Sequence, residues 1–277
     1  MFFKEIFRSR RANSLIHPDV LKDDFSSLDP SEYSDMKISQ IAKYIYDMDT
    51  DDEDQILFLA DWWEKIWWNV NLGAGIPMKD REKLVPAFRA MGMVFNYKDS
   101  FPTLYRGVYA RHQILKAVSN VILGQSHISG DISQNSPLFL TLAKKYGVDK
   151  AKDMINQETI TVPKELYKNN QAEKIISGLA YGTRSWTEDK KDALKWAFGI
   201  SEKVIPGSDK FVFAFKNPSD NALFECNGFI DHFDEVIGEE AKTFDKDEVI
   251  VNVHNPQIVS VTLSPHSNGS RYIVTIK

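Results

Sequence analysis

The chain has 277 residues, 34 Lys and Arg against 39 Asp and Glu, a formal charge of −5, and 43 % hydrophobic residues. That balance suits a folded domain with a substantial core and excludes disorder as the dominant state. The single cysteine, Cys226, excludes a disulfide framework, and the mild acidity argues against a protein that coats nucleic acid. No stretch reads as a membrane span. The longest uncharged run near the middle, 117–130, contains Ser, Asn, Gln and His. Phe2 and Phe3 precede Arg8, Arg10 and Arg11, the wrong order for a secretory signal, so a reducing cytoplasmic compartment is expected.

The first hundred residues read as helical. Ile38, Ile41, Ala42 and Ile45 recur at helical spacing. The acidic run 49–54 then precedes an apolar pattern, as suits a helix N-terminus. The helix it opens carries Trp62, Trp63, Trp67 and Trp68, four of the six tryptophans. This cluster is expected to form core between a helical lobe and a sheet. Gly73, Gly75 and Pro77 end the helix, and another is expected around Phe88 and Met91, with Pro86 near its start or kinking it.

From about residue 101 the pattern changes. Residues 103–109 read as a strand, and Ile114, Leu115, Val118, Val121 and Ile122 as an amphipathic helix. Residues 137–180 look mostly helical. Strands are expected at 179–185, 210–216, 222–226, 248–253, 258–263 and 272–276, with one helix at 188–198. Helices first and strands last make α+β the natural class, with a helical lobe over 1–99 and a strand-rich core over 100–277.

Several motifs fail. Gly73-Ala74-Gly75 lacks both the third glycine and a preceding strand of a dinucleotide fingerprint. Gly178 to Ser185 is one residue short of a phosphate loop and has no lysine. The run from Asp47 has Asp52 where a calcium loop needs Gly and Phe58 where it needs Glu. The six histidines show no metal-ligand spacing, and no metal is expected.

Three segments stand out. In Leu104-Tyr105-Arg106-Gly107 an arginine interrupts an apolar strand and needs an anionic or hydrogen-bonding partner, or a path to water. The glycine beside it permits close approach to the backbone. In Ser185-Trp186-Thr187 the two hydroxyls share one face of a strand end, and Thr187 also suits a helix cap. In Glu248-Val249-Ile250-Val251-Asn252 a carboxylate opens an apolar strand, a pattern that also suits a gatekeeper charge.

In this order the segments resemble the mono-ADP-ribosyltransferases of the Arg-Ser-Glu class, over roughly residues 100–277. That class carries Arg, often followed by Gly, on its first core strand. A Ser-x-Ser/Thr ends a second strand, and a Glu opens a later one. The helical first part is similar to the N-terminal lobe of bacterial-toxin and tailed-phage enzymes of this class, and the phage-type intracellular enzymes are the more similar. The resemblance implies a mixed, β-sandwich-like core and NAD as substrate. It implies that Glu248 stabilises the ribose cation and that Ser185 orients Glu248. Arg106 would bind an NAD phosphate, Gly107 would present backbone to the carboxamide, and Thr187 would support the strand end. Trp196 or Phe198 would pack beside the nicotinamide.

The loop before the third motif, with Phe244 and Lys246, would face the acceptor. Family members that modify arginine carry Glu or Gln where Lys246 stands. Lysine cannot accept a hydrogen bond from a guanidinium and would repel it. Asp245, Asp247, Glu239 or Glu240 could substitute; otherwise the acceptor is not arginine. The expected acceptor is a macromolecule, a host protein or alternatively a nucleic acid, with no membrane partner. An NAD glycohydrolase and a non-catalytic phage-like binding or structural protein are the alternatives.

Overall fold

A computed structural model describes residues 35–71, 82–95, 100–108, 112–125, 131–198, 209–238, 248–265 and 270–277. In chain order the described elements are α1 (Asp35–Asp47), α2 (Glu53–Asn71), α3 (Val85–Val94), β1 (Thr103–Val108), α4 (His112–Leu123), α5 (Pro137–Tyr146), α6 (Val148–Ile155), β2 (Ile160–Thr161) and α7 (Lys164–Tyr167). They continue with α8 (Gln171–Ala180), β3 (Gly182–Thr187), α9 (Lys190–Phe198), β4 (Lys210–Lys216), β5 (Ala222–Glu225), α10 (Cys226–Ile237), β6 (Glu248–Val253), β7 (Ile258–Ser264) and β8 (Arg271–Ile276). Helices combine with mainly antiparallel strands, a mixed architecture compatible with the α+β class.

Local chemistry explains the helix starts. Asp52 accepts from the backbone N–H groups of Asp54 at 2.9 Å and Gln55 at 3.3 Å, so the acidic run opens α2 as a cap. Ser136 accepts from Phe139 N–H at 3.1 Å at the head of α5, with Pro137 in its first turn. Pro86 lies in the first turn of α3, where its missing N–H costs no helix bond.

The chain divides into two compact units. The first comprises Met1–Asp99, Gly182–Ser185 and Asn221–Asn252, so the helical segment also gathers two strand-bearing segments from later in the chain. Its strands follow the order β3-β6-β5. Its core joins Ile41 and Ile45 of α1, Trp62 and Trp63 of α2, Phe88 and Met91 of α3, Phe224 of β5, Phe229 of α10 and Ile250 of β6. Trp63 sits edge-on to Phe88 at 5.5 Å and to Phe224 at 5.0 Å. Trp62 and Trp63 are therefore core, as expected; the side chains of Trp67 and Trp68 lie outside the described residues. Helix α3 lies so close to β5 that a Cβ on Gly92 would stand 2.1 Å from the Leu223 carbonyl oxygen.

The second unit comprises Ser100–Tyr181, Trp186–Asp220 and Val253–Lys277. Its strands follow the order β2-β7-β8-β4-β1, and the β3 residue Thr187 pairs with Tyr105 of β1. Strands β4 and β8 are parallel; the pairs β1–β4, β7–β8 and β2–β7 are antiparallel. Phe211 and Tyr272 stack at 4.6 Å across β4 and β8. The Ser119 hydroxyl of α4 donates to Tyr272 at 2.8 Å, which ties this helix to β8.

The strand expectations at 210–216 and 248–253 match β4 and β6 residue for residue. Three readings change. Leu179 and Ala180 belong to α8, and β3 starts only at Gly182, whose φ of +89° suits glycine. Cys226 is not a strand residue but the buried first residue of α10, a second helix among the later strands where one was expected. The short strand β2 was not expected at all.

Candidate functional site

Strand β6 is buried along its whole length, with Glu248, Ile250 and Asn252 on one face by alternation. Ile250 packs in the core of the first unit. The face that carries Glu248 is therefore apolar in its middle and polar at both ends. Glu248 is only 4 % exposed. A carboxylate so buried needs hydrogen-bond donors to remain charged. One is Ser185 of β3, whose hydroxyl donates to Glu248 Oε1 at 2.9 Å. Two of the three candidate catalytic residues thus meet directly, inside one unit.

A third carboxylate joins the same two strands. Glu82, just before α3, accepts from Thr183 N–H at 3.1 Å and from the Thr183 hydroxyl at 3.4 Å through Oε1. Its Oε2 accepts from Asn252 Nδ2 at 3.1 Å. Sequence reasoning did not single out Glu82. It stands in the charged stretch Lys79-Asp80-Arg81-Glu82-Lys83, which reads as a solvated face. No pattern in the sequence marks Glu82 among these charges.

Arg106 belongs to the second unit, in the middle of β1. Its face also carries Leu104 and Val108, both buried, and Phe213 lies opposite it on β4. Thr187 pairs with Tyr105, so Arg106 and Thr187 point to opposite faces of the β1–β3 pair. Gly107 has a structural reason for being glycine. A Cβ there would stand 1.9 Å from the Ala193 carbonyl oxygen and 2.5 Å from Ala197 N, both backbone atoms of α9. The α9 backbone fills its open side, a packing reason for glycine that is independent of any ligand.

Thr187 is buried, and its hydroxyl accepts from Asp189 N–H at 3.0 Å. Asp189 in turn accepts from Lys191 N–H at 2.6 Å and caps α9. Thr187 therefore closes the turn before the helix, and Asp189 takes the capping role expected of Thr187. Trp186 points the other way, onto Phe215 at 5.6 Å and Phe213 at 6.5 Å, as packing. Trp196 is half-buried on α9. The side chain of Phe198 lies outside the described residues, as do Asp245, Lys246, Asp247 and all of the acceptor loop expected over 238–244, Phe244 included, except Gly238, the C-cap of α10.

Among the described residues, no group of three or more His, Cys, Asp and Glu side chains is arranged to hold a metal ion. None of their helices is long and apolar enough to cross a membrane. No protein-family model matches the sequence, and no curated protein is significantly similar to it.

Chemically, the first unit offers a buried carboxylate with a hydroxyl on one of its oxygens. Such a group stabilises a positive charge that develops beside it and accepts a hydrogen bond from a substrate hydroxyl.

Proposed function

We propose that the protein is an NAD-dependent mono-ADP-ribosyltransferase of the Arg-Ser-Glu class, with the fold of that class. The observation that carries this reading is the 2.9 Å hydrogen bond from Ser185 to the buried Glu248, the pair that the resemblance assigns to catalysis. The C1′–N bond of NAD breaks, and its electron pair leaves with nicotinamide, which becomes neutral. Positive charge develops on the ribose, as in glycoside cleavage. Glu248 stabilises that charge, and Ser185 holds its carboxylate in place. A lone pair of the acceptor then forms the new bond at C1′, and the acceptor releases its proton to solvent. Arg106 is the proposed phosphate contact, a role its guanidinium fork suits. Lys246 disfavours a guanidinium as acceptor. The acceptor is a macromolecule, a host protein in this reading, and the compartment is the cytoplasm.

The test uses NAD tagged on the adenosine, incubated in cell lysate with the wild type and with Glu248→Gln. Nicotinamide release and tag attachment are both followed. The expected result is release with attachment, with release reduced at least ~100-fold in the variant, the scale of losing one electrostatic stabiliser. Release without attachment would make the protein an NAD glycohydrolase. No release from the wild type would overturn the enzyme reading and leave a binding or structural protein.

A further inference from the structure

We propose that Glu82 is a positioning residue that sets the spacing of the Ser185–Glu248 pair, an inference that rests on the catalytic reading of that pair given above. Glu82 lies outside the three motifs and outside the strand-rich half of the sequence. Its carboxylate nevertheless spans the two strands that carry the pair. Oε1 holds Thr183, two residues before Ser185 and on the same face of β3. Oε2 holds Asn252, four residues after Glu248 and on the same face of β6. One side chain thus clamps both strands on the face from which Ser185 and Glu248 reach each other.

The Asn252 side chain is not needed to pair its own strand. Its backbone N–H donates to the Asn221 carbonyl at 2.8 Å, and its carbonyl accepts from Asn221 Nδ2 at 3.0 Å. The backbone is held without help from the side-chain amide. That amide is 95 % buried with its residue, donates to Glu82, and has no hydrogen-bond partner for Oδ1 among the described residues. A half-satisfied buried amide is costly, and an apolar side chain would suit this strand better. Its contact with Glu82 is what the residue provides.

Glu82 is itself fixed from the other side. Leu84, two residues on, is fully buried in the core of the first unit, as is Phe88 on the following turn. The position of β3 relative to β6 is thereby coupled to the packing of α3. A displacement of about 1 Å at reacting groups can cost on the order of 100-fold in rate. The clamp therefore acts on turnover and not on substrate affinity.

Three substitutions separate span from charge. Glu82→Ala removes both arms. Glu82→Asp keeps the charge but is one methylene too short to reach both strands. Glu82→Gln keeps the span: its oxygen accepts from Thr183 N–H, and its amide donates to Asn252 once that side chain turns its unpartnered Oδ1 toward it. Asn252→Ala cuts the clamp from the other end and serves if Glu82→Ala does not fold.

The expected result is a kcat for nicotinamide release about 10- to 100-fold lower in Glu82→Ala, Glu82→Asp and Asn252→Ala, with KM for NAD within about threefold of wild type. Glu82→Gln returns to within about threefold of wild-type kcat. Unchanged kcat in a folded Glu82→Ala or Asn252→Ala overturns the proposal, as does rescue by Asp but not by Gln. Crystal structures of the same variants give a readout that needs no activity. The Ser185–Glu248 hydrogen bond is expected to be lost in the Ala and Asp variants and kept in the Gln variant. An intact bond in Glu82→Ala would overturn the positioning role even if the wild type cleaves NAD, and a broken one would support it even if no NAD is cleaved.

Discussion

Ser185 and Glu248 lie 63 positions apart in sequence and are joined by a 2.9 Å hydrogen bond between hydroxyl and carboxylate. Removing the hydroxyl withdraws a donor from a carboxylate that is almost wholly shielded from water. Ser185→Ala should therefore cost about 1.5–3 kcal/mol of folding stability, the usual worth of a hydrogen bond to a charged group. Glu248→Gln retains an acceptor oxygen for Ser185 and should cost less than Ser185→Ala. Urea unfolding of the two variants against wild type checks the order. The reverse ranking would mean that the carboxylate charge, and not the hydroxyl, holds this pair together.

Packing makes a sharper statement at the glycines. Gly107→Ala puts a methyl group 1.9 Å from the Ala193 carbonyl oxygen, so α9 or β1 must move. Overpacking of this kind costs about 1–3 kcal/mol or more. Gly178, inside α8, has nothing within 4 Å of an added Cβ. Gly178→Ala should stabilise by about 0.5–1 kcal/mol, because alanine has less freedom to lose on folding. Thermal melts of both variants test this pair of opposite signs. A neutral Gly107→Ala would show that α9 yields at this contact.

The strands were legible where side-chain chemistry and backbone state agree. Lys210 to Lys216 and Glu248 to Val253 are dense in Val, Ile and Phe, which suit a buried pleated surface. The misses have physical causes. Phe229, Ile230 and Phe233 of α10 have helical spacing, but α10 follows β5 without a turn and its preceding residue, Glu225, makes no side-chain cap. Nothing in the sequence separates the strand from the helix. Strand β2 is two residues long, too short for a period to register. Of the candidate site, Ser185 and Glu248 could be found only through the ordered set of motifs: the strand of Ser185, GTRSWT, is mostly polar, and Glu248 at the head of its apolar strand reads by itself as a gatekeeper charge. Glu82 could not, because its neighbours Asp80, Arg81 and Lys83 are charged as well. Gly107 was visible as a glycine, but its reason, a helix backbone against its open side, exists only in three dimensions.

The head of α2 predicts an acid-sensitive contribution. Asp52 accepts from two backbone N–H groups and from Gln55 Nε2 at 2.9 Å. The Gln55 side-chain bond is the largest cause that holds its carboxyl below the ordinary 3.8; burial opposes it, and the two backbone bonds add to the lowering. A lowered folded-state pKa contributes stability that is present above the unfolded value and lost as pH falls through the folded one. Asp52→Ala should cost about 1 kcal/mol at pH 7. The difference from wild type should shrink as pH falls below 3.8, which urea midpoints at pH 7, 4 and 2.5 would show. A difference that does not change with pH would assign the cost to helix propensity alone.

At the alkaline end the sign reverses in origin. Tyr272 of β8 is fully buried, and that burial, with the Asp209 carboxylate as the smaller cause, raises its phenol well above the ordinary 10.0. The Ser119 hydroxyl that donates to it offsets part of the effect. Tyr44, in the core beside Phe58, is raised by burial first and by Asp52 and Asp54 second. A raised folded-state pKa means that the unfolded chain gives up its proton first. Stability is then full below pH 10 and falls as pH climbs from there toward the folded value. Tyr272→Phe removes one ionisable group from this balance. Between pH 10 and 11.5 the variant should lose stability less steeply than wild type, although it loses the Ser119 hydrogen bond and starts about 1 kcal/mol lower at pH 8. Parallel slopes for the two proteins would mean that Tyr272 stays protonated in the unfolded chain as well, and would move the alkaline transition to other groups.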